Sequence, residues 1–297
     1  MNKPLVSIII ASYNAEKYII ETLESCINQT YKNIEIIIAD DCSVDNSIEL
    51  IEEWLILKKE SHPQIVCNLV QSRQNGGIPA NLNNALPLVA GEWIKCLGSD
   101  DILLPDAITE FVKRLNEYPN TNNNVGAVFT YFETFGINVV KSNRYPQAWT
   151  RDVCMLEPSW FKKQLAMLHF NNIAPCAFIN KRYFFEFNKS YRLLEDLPVW
   201  LDLIEKDFNT LFFDYTTVRY RLHDSQITSS SNHTVNNILL DDLRLLNKYR
   251  LANGYFFAYL HHKFNIYCSS KRTSFYRYLK AINPFNLFIQ MYEKIKK

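Results

Sequence analysis

The stretch GEWIKCLGSDDILLPD, Gly91 to Asp106, ends an apolar run at Gly98 and then sets two carboxylates side by side, Asp100 and Asp101. Adjacent anions at the end of a buried strand repel each other and lose solvation. A hard divalent cation relieves both costs, because Mg²⁺ and Mn²⁺ take carboxylate oxygens and commonly bind through one or two carboxylates plus substrate phosphates. The chemistry this pair suggests is metal-assisted handling of a diphosphate; the plainer alternative is a solvated turn whose acids favour a helix start. A second pair, Asp40–Asp41, closes the run Ile34–Ala39. A carboxylate there can accept a hydrogen bond from a uracil ring N–H or a ribose hydroxyl, or simply cap the helix that follows. Gly76–Gly77 lets backbone come close to a flat ring or a phosphate. The chain has neither GxGxxG nor GKS/GKT, so neither a dinucleotide fold nor an ATPase is supported.

The elements that must hold these groups alternate over residues 1 to about 135. Leu5–Ile10 is a continuous, largely β-branched run of the kind buried on both faces of a sheet. Glu16–Gln29 places Tyr18, Ile19, Thr22, Leu23 and Cys26 at helical spacing, with Asn14 as the expected cap. The pattern continues as strand Ile34–Ala39, helix Ser47–Leu57, strand Ile65–Val70, helix Ala80–Val89, strand Glu92–Leu97, helix Pro105–Tyr118 and strand Val125–Glu133. Repeated β-α units predict a mostly parallel sheet covered by helices, with ligands at the carboxyl ends of the strands. Those ends carry Ser12-Tyr13-Asn14, Asp40–Asp41, Asn75-Gly76-Gly77 and Asp100–Asp101. The region 136–190 is irregular and aromatic; a helix from Glu195, a strand Thr210–Tyr215 and the run Val218–His223 follow.

With 297 residues, 47% hydrophobic and 21% charged, the chain is globular rather than disordered, and its net charge of +1 argues against a nucleic-acid polymer as partner. Seven scattered cysteines without a CxxC pair fit a reducing cytosol better than a disulfide framework. No stretch approaches the ~20 apolar residues of a membrane-spanning helix, so a soluble or surface-attached protein is expected.

The segments VSIIIASYNAEKYIIETLESCINQTYKNIEIIIADDCSVDNS, NGGIPANLNNALPLVAGEWIKCLGSDD and EDLPVWLDL, in that order and spacing, resemble the family 2 glycosyltransferases, inverting enzymes of GT-A fold. The likeness covers about residues 4 to 225. It implies an α/β fold, a Rossmann-like sheet flanked by helices, with residues 1–135 binding a nucleotide-sugar and 136–225 binding acceptor and supplying the base. Residues 226–297 would form a helical C-terminal extension. Carried over motif by motif, the resemblance implies that Tyr13 stacks on the base between Ser12 and Asn14, and that Asp40, with Asp41 beside it, binds the base. Asp100 would contact ribose and Asp101 the metal, Mn²⁺ or Mg²⁺. Gly76 and Asn81 would line the nucleotide. Asp196 of the Glu195–Asp196 pair would be the general base. The sequence departs from the family at Ala11, where proline is usual, at Gly98, where an acid is usual, and at Ala80, where arginine is frequent.

An inverting transfer needs one base to take a proton from the acceptor hydroxyl, and a carboxylate at a helix start suits the task, typically contributing ~10²–10⁴-fold. His223, in RYRLHDSQIT, is a candidate second metal ligand or phosphate contact, supported by Arg219 or Arg221. Residues 271–297 set Lys271, Arg272, Arg277, Lys280, Lys294, Lys296 and Lys297 against Glu293, interleaved with aromatic residues. Such a segment can lie in an anionic membrane interface or pack as a lid. The expectation is a cytoplasmic enzyme at the inner membrane surface. It would move a sugar from a UDP-sugar to a polyprenyl-diphosphate-linked glycan in O-antigen or capsule assembly. The alternatives are a nucleotidyltransferase acting on sugar phosphates and a non-catalytic carbohydrate-binding protein.

Overall fold

The computed structural model describes residues 3–118, 124–137, 139, 143–146, 151, 173–224, 226, 237–270 and 283. The basic tail 271–297 therefore lies outside the described residues except for Asn283, as do Trp149, Trp160, Phe161 and Phe170 of the aromatic middle region.

Strands β1 (Val6–Ser12), β2 (Ile34–Asp40), β3 (Val66–Gln71) and β4 (Trp93–Gly98) alternate with helices α1 (Ile19–Ile27), α2 (Ser47–Ser61) and α3 (Ile78–Ala85). Then follow β5 (Ile102–Leu103), α4 (Ala107–Glu117), β6 (Val125–Gly136), β7 (Arg144–Tyr145), β8 (Ala177–Asn180), α5 (Asp196–Glu205), β9 (Asn209–Leu222), α6 (Asn237–Ala252) and α7 (Phe256–Ser270). The sheet runs β3-β2-β1-β4-β8-β6-β9-β5, with β7 on β6. β3, β2, β1 and β4 are parallel, and β8 enters antiparallel between β4 and β6.

Side-chain alternation divides the core between the two faces of the sheet. Ile8 and Ile10 of β1 and Ile36 and Ile38 of β2 pack with α1, α2 and α4 through Leu23, Ile51, Trp54 and Phe111. Ile9 and Ile37 turn the other way, onto Leu82 and Ala85 of α3, Trp200 of α5 and Leu246 of α6. Because both faces are covered, β2 is buried along its whole length, and continuous Ile-rich runs are the composition such strands need. At the sheet edge β3 is mostly half-exposed, and Val66 stands out into solvent.

Most predicted elements form, with shifted ends. Helix α1 begins only at Ile19 with Tyr18 at its cap position, and no side chain caps it. The expected cap residue, Asn14, instead accepts a hydrogen bond from the Val44 N–H, and its own N–H donates to Ser43 Oγ, so it laces the β1 loop to the β2 loop. A positive φ of 50° at Asn14, which asparagine tolerates better than most residues, allows that exchange. The two expected strands Thr210–Tyr215 and Val218–His223 are one strand, β9, kept continuous by parallel pairing with β6 that passes through register shifts near Tyr131.

Candidate active site

The carboxyl ends of β1, β2 and β4 lie in register, Ser12 opposite Asp40 and Ala11 opposite Gly98. Parallel pairing therefore delivers three of the four polar clusters to one edge.

The Asp40 carboxylate is 0% exposed and fully engaged. Ser43 N–H donates to Oδ1 at 2.8 Å, and the hydroxyls of Ser43 and Ser12 donate to Oδ2 at 2.6 and 3.0 Å. A buried carboxylate needs such donors, and the protein itself meets three of its roughly four acceptor positions. Asp40, the residue expected to meet the base, is thus tied to buried Ser12 in one network at the strand ends. Asn81 is also enclosed; its Nδ2 donates to the Ala39 carbonyl at 2.7 Å and props the end of β2 from α3. By contrast Tyr13 is 47% exposed, its ring open at the edge.

Asp41 reaches across to the next cluster, accepting the Gly76 N–H at 2.9 Å and the Gly77 N–H at 2.8 Å. Gly77 has φ +89°, and a Cβ there would lie 2.3 Å from the Arg192 carbonyl oxygen. On the side where a Cβ would stand, the backbone of Arg192 makes a close approach to this glycine. Arg192 closes the contact: its carbonyl accepts the Ile78 N–H at 2.8 Å, and its guanidinium donates to the backbone and side-chain oxygens of Asn75.

At the end of β4, Asp101 is 3% exposed and receives the Arg221 N–H on Oδ1 at 3.0 Å. Burial, and then the neighbouring Asp100 charge, push its carboxyl well above the ordinary range. The Thr22 hydroxyl donates to the carbonyls of Ser99 and Asp101, fixing the turn from α1. Asp100 accepts from His223 Nε2 at 2.8 Å, and its carbonyl accepts the Arg221 Nε–H at 2.7 Å. The Arg221 guanidinium pairs with Glu21 and lies 4.7 Å from the Tyr18 ring and 4.4 Å from that of Phe135. Strand β9 therefore brings Arg221 and His223 onto the acidic pair from more than a hundred residues away. Arg219, the other candidate, pairs with Glu133 instead, at 3.3 Å.

Among the described residues no group of three or more His, Cys, Asp or Glu is arranged to enclose a metal ion. The donor chemistry still fits a hard divalent ion. Asp101 is a carboxylate whose ionisation is penalised until positive charge arrives, and Asp100 stands beside it. An ion held by these acids would complete its shell with phosphate oxygens, the usual habit of Mg²⁺ sites.

Glu195 occupies the cap position of α5, and Asp196 is the first residue of that helix, with the Leu197 N–H donating to its Oδ1 at 2.6 Å. Burial, and then the Asp196 charge, raise the Glu195 carboxyl well above its ordinary range. Two adjacent acids with different environments sort their protons, and burial directs the proton to Glu195. Glu195 also lies near β4: the Cys96 thiol is pushed up to about 12 by burial, with Glu195 adding to the rise against the lowering effect of Lys95.

Sequence reasoning missed the residues that organise this edge without belonging to a motif. Ser43 carried a signal, as a hydroxyl three residues after Asp40 able to turn back on it. Arg192, Glu21 and Lys95 carried none. Lys95 is buried in β4, donates to the Cys96 and Pro175 carbonyls, and its ammonium is disfavoured by burial.

The family model for glycosyl transferase family 2 matches residues 7–192. An uncharacterized glycosyltransferase of Haemophilus influenzae is 30% identical over 79% of this chain and 71% of its own length. The Escherichia coli UDP-Glc:alpha-D-GlcNAc-diphosphoundecaprenol beta-1,3-glucosyltransferase WfaP is 29% identical over 76% of this chain and 80% of its own. Among solved structures, S. aureus TarS 1-349 in complex with UDP-GlcNAc superposes with a TM-score of 0.61 at 19% identity, over 91% of this chain and 74% of that one. The mannosyltransferase PcManGT from Pyrobaculum calidifontis, in complex with GDP-Man and Mn2+, gives 0.60 at 18% identity, over 84% and 65%. In another crystal structure of S. aureus TarS the chain spans 43% of that chain's length, with a TM-score of 0.55 at 17% identity over 89% of this chain. The shared architecture is the GT-A fold.

Proposed function

The chain belongs to glycosyl transferase family 2 and is a glycosyltransferase, and from that premise we propose that it moves a sugar from a UDP-sugar, with inversion, onto a hydroxyl of a polyprenyl-diphosphate-linked glycan. The proposed setting is the assembly of a bacterial surface polysaccharide, an O-antigen or capsule, at the inner face of the cytoplasmic membrane. The named activity of WfaP, a UDP-glucose donor and a diphosphoundecaprenol-linked acceptor, supports this choice of substrates.

The observation that carries the reading is the division of labour between two acidic pairs. Asp100–Asp101, with Arg221 and His223 against it, offers charge for a diphosphate. Glu195–Asp196 sits at the start of α5, where burial raises the Glu195 carboxyl well above its ordinary range. Asp196 then takes the proton from the acceptor hydroxyl, whose oxygen bonds to the anomeric carbon as the bond to the diphosphate breaks. UDP departs with that electron pair. Mn²⁺ or Mg²⁺, held by Asp101 with Asp100 beside it, would supply Lewis-acid stabilisation of the leaving diphosphate. Arg221 adds positive charge on the same side, and Tyr13 offers an open ring for the base.

Attachment to the membrane finds support in the α6–α7 hairpin, where Leu251, Phe256 and Phe257 are exposed, and in the basic, aromatic sequence of 271–297. Among the described residues no helix is long and apolar enough to cross a membrane. The test is a panel of nucleotide-sugars with a synthetic polyprenyl-diphosphate-linked acceptor, the product linkage being read by NMR. Transfer from a UDP-sugar with inverted anomeric configuration is expected. A retained configuration, or sole use of a GDP- or CMP-sugar, would overturn the reading.

A further inference from the structure

The chain that leads into Glu195–Asp196 belongs to no strand or helix, so its backbone donors must find partners elsewhere. Three successive N–H groups, those of Arg192, Leu193 and Leu194, converge on one carboxylate, Asp242 of α6. Arg192 N–H lies 3.0 Å from Oδ1 and 3.1 Å from Oδ2, Leu193 N–H 2.6 Å from Oδ2, and Leu194 N–H 3.0 Å from Oδ2. Asp242 is 4% exposed. We propose that Asp242 is a positioning residue for the catalytic base, and that α6, through it, is part of the transfer machinery. This rests on the reading of Asp196 as the base.

The chemistry of the contact favours an aspartate. Three donors aimed at one point need an acceptor-only group, and consecutive backbone N–H groups form a concavity suited to an anion. Charge-assisted bonds of this kind are shorter and about twice as strong as neutral ones. An asparagine would keep one acceptor oxygen but turn an NH₂ toward a backbone N–H. Solvent is excluded here, so a donor left unmatched loses its hydration without return.

Position gives the contact its consequence. The last pinned N–H is that of Leu194, and Asp196 follows two residues later, within roughly 8 Å of chain. On the other side the same segment is held by Ile78 N–H on the Arg192 carbonyl and by the Arg192 guanidinium on Asn75. The loop between β3 and α3 and helix α6 thus both hold one strap. α6 is itself fixed to α5: Leu246 packs in the core with Trp200, and the Tyr249 hydroxyl donates to Glu205 at 2.6 Å. Releasing the α6 grip lets the base drift, and a displacement of ~1 Å can cost ~10²-fold in rate.

The experiment compares Asp242→Asn and Asp242→Glu in the full chain, with UDP affinity by calorimetry and kcat from UDP release with the donor and acceptor that the substrate panel selects. Asp242→Asn is expected to lower kcat by ~10–100-fold while the UDP dissociation constant stays within about twofold. Asp242→Glu, which restores an acceptor-only carboxylate, is expected to recover at least about tenfold of that loss. Added to Asp196→Asn, the Asp242→Asn change should cost less than about twofold more, because residues acting as a unit are not additive. Unchanged kcat in Asp242→Asn, full additivity in the double variant, or loss of UDP binding in step with kcat in both Asn and Glu variants would each overturn the proposal. Near-normal turnover in Asp196→Asn alone would overturn the base reading and this inference with it, whereas failure confined to Asp242 leaves the base reading standing.

Discussion

Oδ1 of Asp101 and the backbone N–H of Arg221 meet at 3.0 Å, joining the end of β4 to the end of β9. The contact uses the backbone of Arg221 and leaves its guanidinium free to reach the Asp100 carbonyl and Glu21. One residue thus holds the acidic turn in shape while placing positive charge beside it.

That geometry makes Asp101 the acid to remove first. Asp101→Ala should abolish divalent-dependent transfer, and loss of the acceptor for the Arg221 N–H should lower folding stability by about 1–3 kcal/mol. Transfer in EDTA, and melting temperature with and without Mn²⁺, measure the two effects. Full activity of the variant, or of the parent in EDTA, would remove the metal from the mechanism.

Asp196→Asn keeps side-chain size while losing basicity. Turnover should fall by ~10²–10⁴-fold with donor affinity nearly unchanged. Glu195→Gln should do less, since burial favours the neutral form of Glu195, which Gln resembles. Single-turnover kinetics with one donor and one acceptor read both values; a dead Glu195→Gln beside an active Asp196→Asn would reverse the two assignments.

Glu195 also sets a pH dependence of stability. Its folded pKa is raised, so between the unfolded value of about 4.3 and the folded one the native state binds more protons than the unfolded state. The stabilising contribution is fully present below the unfolded pKa and is lost as pH rises through the folded one. In Glu195→Gln this component of the slope should vanish, which denaturant midpoints across that window will show. An identical slope in parent and variant would mean that Glu195 is not held neutral.

Gly77→Ala combines a positive φ with a Cβ 2.3 Å from the Arg192 carbonyl oxygen. Either the glycine loop or the Arg192 strap must move. The expected cost is ~1–3 kcal/mol, a loss of about 2–10 °C in melting temperature. Because Asp41 is bonded to both glycine N–H groups, UDP affinity should fall too. Parent-like melting and UDP binding would show that the strap is not closely packed there.

Local sequence determined the strands, the order of the polar clusters and the acidic pairs. A run such as Ile34–Ala39 has enough apolar, β-branched surface to demand burial on both faces, and parallel pairing then carries its terminal Asp40 to the same edge as Ser12. What each acid does there was decided by tertiary structure. Asp40 reads in sequence as a ligand group, and only folding brings the hydroxyls of Ser12 and Ser43 onto it. Gly76–Gly77 reads as a place for a flat ring or a phosphate, and only folding brings the Arg192 backbone against Gly77. Asp242 reads as one more acid on an amphipathic helix, and only folding brings it under the strap ahead of Glu195. The physical reason is the same in each case: hydrophobic periodicity reports which face of an element is buried, whereas a carboxylate's role depends on which donors arrive from elements 28, 50 or 120 residues away.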